Sequence, residues 1–244
     1  MTTLDGPMTD ITIGELVAEQ PALARVFERL GIDYCCGGKR SLGEACAAHG
    51  LDAASVARGL AACDGRGGTD DHGNWLLTST SQLIDHIIAV HHGYLRAELP
   101  RLAGLIAKVT QAHGEREPHL AELQRVFAAF RAELDDHMLK EERILFPMIR
   151  QLETARGPVT LHCGTVENPI RVMVSEHDNA GAALARMREL THGFAVPPEG
   201  CNTYRVMLEG LHELEADMHR HVHEENNILF PKAVQAEAAL APRG

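Results

Sequence analysis

A chain of 244 residues with 45% hydrophobic but only 4% aromatic content is rich in Ala and Leu, and helix is its natural secondary structure. Acidic residues outnumber basic ones 34 to 23, and a net charge of −11 argues against nucleic acid or an anionic membrane surface as the main partner. No apolar run approaches the roughly 20 residues of a membrane span, the start lacks a basic stretch followed by an apolar one, and six cysteines in no zinc-site spacing suit a reducing compartment, so cytoplasmic placement is expected.

Residues 1–63 are expected to form a small helical domain. Thr12-Ile-Gly-Glu15 has the form of a capping box, in which each side chain satisfies an orphan N–H of the other residue. Pro21 suits a second helix start, with Leu23, Val26, Phe27 and Leu30 as its apolar face and Gly31 as its stop. Ser41-Leu-Gly-Glu44 caps a third helix, and a fourth spans about 52–62. The Gly- and Asp-rich run after Cys63 is the best linker, placed at 64–77. Four long amphipathic segments follow, at about 79–109, 118–150, 169–192 and 202–238. With short to medium connections they predict an up-down-up-down four-helix bundle over 78–240, so the fold class is all-α.

One pattern occurs twice in this bundle. His137-Met-Leu-Lys-Glu141 runs into Ile144-Leu-Phe-Pro147, and His221-Val-His-Glu-Glu225 runs into Ile228-Leu-Phe-Pro231 at the same distance. His and Glu four residues apart share a helix face. That face is apolar, with Phe127, Phe130 and Leu134 before the first pair and Leu211, Leu214 and Met218 before the second. An unpaired carboxylate on a core stripe costs several kcal/mol, so two of them, each one turn from an imidazole, point to a metal. Each proline is expected to limit its helix.

The first and third bundle helices each add one His on the apolar stripe. His92 lies in phase with Ile88, Leu95, Leu99 and Leu102, and His177 with Ile170, Met173, Val174 and Leu184. The halves therefore match in a pseudo-twofold arrangement. Any one of these residues alone reads as well as a satisfied core histidine; six in phase on four helices do not. His92, His137, Glu141, His177, His221 and Glu225 exceed one tetrahedral zinc site and suit two ions bridged by both carboxylates. Imidazole and carboxylate fit Fe, Mn or Zn, and affinity order does not choose among them. So histidine-heavy a set leaves room for an oxo or hydroxo bridge and a small exogenous ligand. Phase turns His91 about 100° and His86 about 120° away from His92. Glu142, His223 and Glu224 are expected to point away from the ions, into solvent or into a place supporting the ligands, and Glu176 and Asp136 are candidates to support the ligands.

Cys35 and Cys36 lie in a loop before two glycines, Lys39, Arg40 and a helix N-terminus, a setting that favours a thiolate. A pair of small half-buried residues is the alternative. Cys46, Cys63, Cys163 and Cys201 are isolated and read as filler.

Together, Asp33-Tyr-Cys-Cys-Gly-Gly-Lys39, Ile84-Asp-His-Ile-Ile88, the His137–Ile149 stretch, Ser175-Glu-His-Asp178 and Glu225-Asn-Asn-Ile-Leu-Phe-Pro231 resemble the iron–sulfur cluster repair di-iron proteins, also called repair-of-iron-centres proteins. The resemblance covers nearly the whole chain and implies a hemerythrin-like bundle with two irons on His92, His137, Glu141, His177, His221 and Glu225. It assigns a functional role to Cys35 and Cys36 as an iron relay or redox pair. It implies a cytoplasmic stress-response protein, monomer or homodimer, that restores clusters damaged by nitric oxide or oxidants in client iron–sulfur proteins. Iron donation without enzymatic turnover is the first reading. The second is a centre that binds or reduces nitric oxide, dioxygen or peroxide and so scavenges the stressor. Two departures from the family pattern stand out: His91 beside His92, and a long Gly157–Gly164 loop.

Overall fold

The computed structural model describes residues 7–63 and 75–241. Most of the expected linker, 64–74, therefore lies outside the described residues. The N-terminal part holds α1 (Ile13–Glu19), α2 (Ala24–Leu30), α3 (Leu42–Ala48) and α4 (Ala53–Ala61). The capping boxes at Thr12 and Ser41 form as their sequences require, and Asp52 caps α4. Gly31 ends α2 in the left-handed region at φ 69°, where a side chain would be strained. These helices close over a core of Ile13, Leu16, Phe27, Tyr34, Leu42 and Leu60.

The bundle follows as four long helical rods. The first is α5 (Thr80–Ile87), a π-helical turn at Ile88–His92, and α6 (Gly93–His113). The second is α7 (His119–Lys140), a π turn at Glu141–Leu145, and α8 (Phe146–Thr154). The third, α9 (Glu167–Leu190), is uninterrupted; the fourth is α10 (Asn202–Glu224), a π turn at Glu225–Leu229, and α11 (Phe230–Leu240). No named strand occurs among the described residues, and no helix there is long and apolar enough to cross a membrane.

Pro147 and Pro231 do not stop their rods, contrary to expectation. Each π turn ends just before them, so each proline falls in the first turn of the α-helix that follows, where a missing N–H costs little. Two apolar clusters fill the bundle. One gathers Leu99, Leu102, Phe127, Phe130, Leu184 and Leu211; the other gathers Ile84, Phe146, Ile149, Met173, Leu229 and Phe230. Each fully buried side chain of this size contributes about 1.5–3 kcal/mol, so the polar residues held between the clusters sit in a stiff frame.

The N-terminal part packs on the bundle through Asn227. Its amide Nδ2 donates to the carbonyls of Tyr34 (3.3 Å) and Cys35 (3.1 Å). Gly14 and Gly38 make room for it: a Cβ at either would stand 2.6 or 2.4 Å from Asn227 Oδ1. The Tyr34 ring meets His219 and His223 edge-on at 6.2 and 5.5 Å.

Candidate metal centre

Each π turn adjoins a residue of the sequence-derived set. His92 closes the first, and Glu141 and Glu225 open the other two. A π turn adds a residue to the helical repeat and releases one backbone bond, a distortion common at functional sites. All six groups come together in the bundle interior. His92, Glu141 and Glu225 have no exposure, and His137, His177 and His221 are at most 3% exposed.

They form two sets that share both carboxylates: His92 and His221 with Glu141 and Glu225, and His137 and His177 with the same pair. Glu141 presents Oε1 to His137 Nε2 and Oε2 to His92 Nε2, each at 3.3 Å. Glu225 presents Oε1 to His221 Nε2 at 3.3 Å and Oε2 to His177 Nε2 at 3.1 Å. Atoms bound to one ion at about 2.1 Å stand about 3–3.5 Å apart, which is this spacing. All four carboxylate oxygens, and Nε2 of His92 and His221, are buried without a hydrogen-bond partner. Orphans of that kind cost several kcal/mol each unless a cation meets them, so the donor set fits two ions with bridging carboxylates.

The electrostatics agree with a charged ring of donors. Burial and the facing Glu225 push the Glu141 carboxyl up, but His137 and His92 outweigh them and hold it below the usual range. Burial acts on Glu225 in the same sense, and His221 and His177 hold it well below.

The other ring nitrogens are held from outside. His92 Nδ1 meets Glu142 at 2.7 Å, and His137 Nδ1 meets Glu176 at 2.8 Å. His177 Nδ1 meets Asn226 Oδ1 at 2.9 Å, whereas His221 Nδ1 has no partner. Such partners fix the ring and its tautomer. Glu142 bears the supporting role left open for it and also accepts from Arg96; Glu176 also accepts from Lys140. Asp136 lies exposed on the rim of a cleft of about 190 Å³ that reaches His137 and His177. The motif phenylalanines act as backing plates: Phe146 stacks on His92 at 5.8 Å and Phe230 on His177 at 6.0 Å.

Three residues that α-helical phase sets beside the ligand face rather than on it are buried. His91, His223 and Glu224 are 2%, 5% and 5% exposed. His91 lies within the π turn at Ile88–His92, and Glu224 closes α10 one turn on from the buried His221. His223 is buried by the docked Tyr34, and desolvation lowers its pKa to about 4, leaving it neutral. Asn226 escaped sequence reading altogether; its only signal was its place one residue after Glu225, matching Glu142 after Glu141.

Cys35 and Cys36 stand beside this centre. Their Sγ atoms are 4.0 Å apart and unbonded, and Cys36 Sγ lies 3.7 Å from the His177 carbonyl oxygen. They line a cavity of about 460 Å³ with Asp178, Gly181, Arg188 and His219. The expected thiolate setting is not found at Cys35. Lys39 and Arg40 are exposed, while Asp33 Oδ1 lies 3.1 Å from Cys35 Sγ. The contact with Cys36, burial and the Asp33 charge push the Cys35 thiol well up.

Residues 83–233 match the family described as hemerythrin HHE cation binding domain, and residues 9–64 match a domain of unknown function, DUF542. The chain is 36% identical over 228 residues to the iron-sulfur cluster repair protein YtfE of Citrobacter koseri, covering 93% of this chain and 98% of that protein. The YtfE proteins of Escherichia coli O81 and Salmonella paratyphi B are 36% and 35% identical over the same shares.

Proposed function

Because this chain belongs to the iron–sulfur cluster repair proteins that join a DUF542 module to a hemerythrin HHE cation binding domain, we propose that it restores damaged iron–sulfur clusters by supplying iron to them. In this reading a cysteine module over 1–63 serves a bundle over 78–240. Two irons are held by His92, His137, His177 and His221, with Glu141 and Glu225 as bridges. Bound iron supplies both the transferable cation and the redox chemistry; the remaining work belongs to side chains. Glu142, Glu176 and Asn226 aim three of the imidazoles, and the apolar clusters on either side keep bulk water out. Clients are iron–sulfur proteins damaged under nitrosative or oxidative stress.

The observation that carries iron donation is the 3.7 Å contact between Cys36 Sγ and the backbone of His177. A soft thiol pair one residue's width from a ligand gives iron a place to go. The test pairs two assays on the full chain. Replacing both cysteines, Cys35→Ala with Cys36→Ala, is expected to abolish cluster repair while leaving nitric oxide binding at the centre intact. Unchanged repair, or fast catalytic consumption of nitric oxide by the wild type, would overturn donation in favour of scavenging.

A further inference from the structure

A second cluster of metal-binding side chains lies outside the six. His86, His91 and Glu224 bring one ligand atom each to within 4.8 Å of one another. Glu224 Oε2 is 3.6 Å from His86 Nε2 and 3.5 Å from His91 Nε2. Both distances are too long for hydrogen bonds, and both match the spacing of ligands around one ion. Glu224 Oε2 and His91 Nε2 are buried and unpartnered, although their residues are only 5% and 2% exposed.

The outer contacts are those of a ligand set as well. His91 Nδ1 meets Asp217 Oδ1 at 2.9 Å, the arrangement in which Glu142 holds His92 and Glu176 holds His137. A carboxylate behind the far ring nitrogen fixes the near one toward a cation. His86 is braced by Trp75 at a ring distance of 4.3 Å.

We propose that His86, His91 and Glu224 form a third metal site that takes one divalent transition ion. Two imidazoles and a carboxylate suit Fe²⁺, Zn²⁺ or Mn²⁺ and leave coordination positions free for water or an arriving ligand. The site abuts the two-ion centre, because the His91 ring stacks on His221 at 5.2 Å with the planes 4° apart. It also lies nearer the surface, since the His86 side chain is 19% exposed.

Trp75 is the chain's single tryptophan and touches His86, so it reports on this site directly. Full-length protein as isolated, with its iron measured, is titrated with Co²⁺ while Trp75 emission and cobalt absorption are followed. The expected result is quenching that saturates at one equivalent, one cobalt retained per chain, and no iron lost. Glu224→Gln and His86→Ala are each expected to abolish the quenching and the extra cobalt; His86 lies at the edge, so its variant keeps the test open if Glu224→Gln fails to fold. No saturable quenching, equal cobalt in His86→Ala protein, or cobalt gained only as iron is lost would overturn the proposal. The two-ion reading fails separately, on the metal content of the protein as isolated.

Discussion

The Nε2 atoms of His137 and His177 stand 3.0 Å apart, each on the inner side of its ring, while the two Nδ1 atoms are engaged by Glu176 and Asn226. Two imidazoles aim the same nitrogen at one point. Such an arrangement serves one shared cation far better than it serves a pair of histidines.

On the proposed two-iron reading Glu141 would answer for both ions, since its two oxygens face different histidines. Glu141→Ala is therefore expected to lose both irons rather than one. Metal binding and folding are linked, so each ion held at 100 times its dissociation constant contributes about 2.7 kcal/mol, and losing both lowers stability by about 5 kcal/mol, or about 10–20 °C in Tm. Metal analysis with thermal melts of wild type, variant and chelated wild type checks this; a variant with two irons would remove Glu141 from the ligand set.

Glu176 acts through His137. Glu176→Ala is expected to weaken metal affinity by about 100-fold and Glu176→Gln by about ten-fold, because an amide still accepts from Nδ1, as Asn226 does for His177. Competition with a calibrated chelator reads the difference. Equal affinities in both variants would mean that Glu176 holds no ring.

Gly38→Ala should push Asn227 off the carbonyls of Tyr34 and Cys35, since the new Cβ would lie 2.4 Å from its Oδ1. Overpacking of this kind costs about 1–3 kcal/mol. If Asn227 is the cause, combining Gly38→Ala with Asn227→Ala will cost less than the sum of the two single changes. Denaturant melts of all four proteins decide it.

Glu153, in the last turn of α8, accepts from the backbone N–H groups of Thr80 (2.8 Å) and Ser81 (3.1 Å) at the start of α5. Burial raises its pKa, but Ser81 and Thr80 outweigh that, and the folded value lies below the ordinary 4.5. A depressed carboxyl stabilises above its unfolded pKa, and that contribution disappears as pH falls through the lower folded value. Glu153→Gln is thus expected to cost about 1–2 kcal/mol at pH 7. The gap from wild type should close as pH falls from the ordinary carboxylate range through the lower folded value, below which wild type also carries a neutral group. A gap independent of pH would refute the linkage.

Cys201 begins α10 with its thiol 3.4 Å from His113 Nε2, and that contact with the N–H groups of Tyr204 and Thr203 lowers its pKa to about 7. Iodoacetamide at pH 7.5 is expected to label exposed Cys201 before buried Cys35, whose thiol is held neutral. His113→Ala should shift the Cys201 rate profile to higher pH. Mass spectrometry of the labelled peptides gives both results.

The buried His–Glu cluster was legible because it obeys two rules at once: His137 and Glu141, like His221 and Glu225, keep helical spacing, and all four lie on an apolar stripe. The capping boxes at Thr12 and Ser41 were legible for the same reason, being local. What escaped depended on phase being broken. A single α period runs through Glu141–Leu145 and Glu225–Leu229 in the sequence but not in the backbone, so the prolines that follow were read as stops. Cys35 escaped differently. Lys39 and Arg40 turn to solvent, while Asp33, two residues before Cys35, folds back onto its backbone N–H and its thiol.

The pseudo-twofold is not kept equally at every depth. Ligands match one for one, and so do the phenylalanines behind His92 and His177. Behind the other rings the halves part: Glu142 faces Asn226, and the position of Glu176, just before a ligand, is filled by His91 in the first half. His91 stacks on His221 without bonding it and bonds Asp217 instead, leaving His221 Nδ1 without a partner. The halves therefore share the six clustered groups but not the residues that aim them: a carboxylate holds the His137 ring, and packing alone holds the His221 ring.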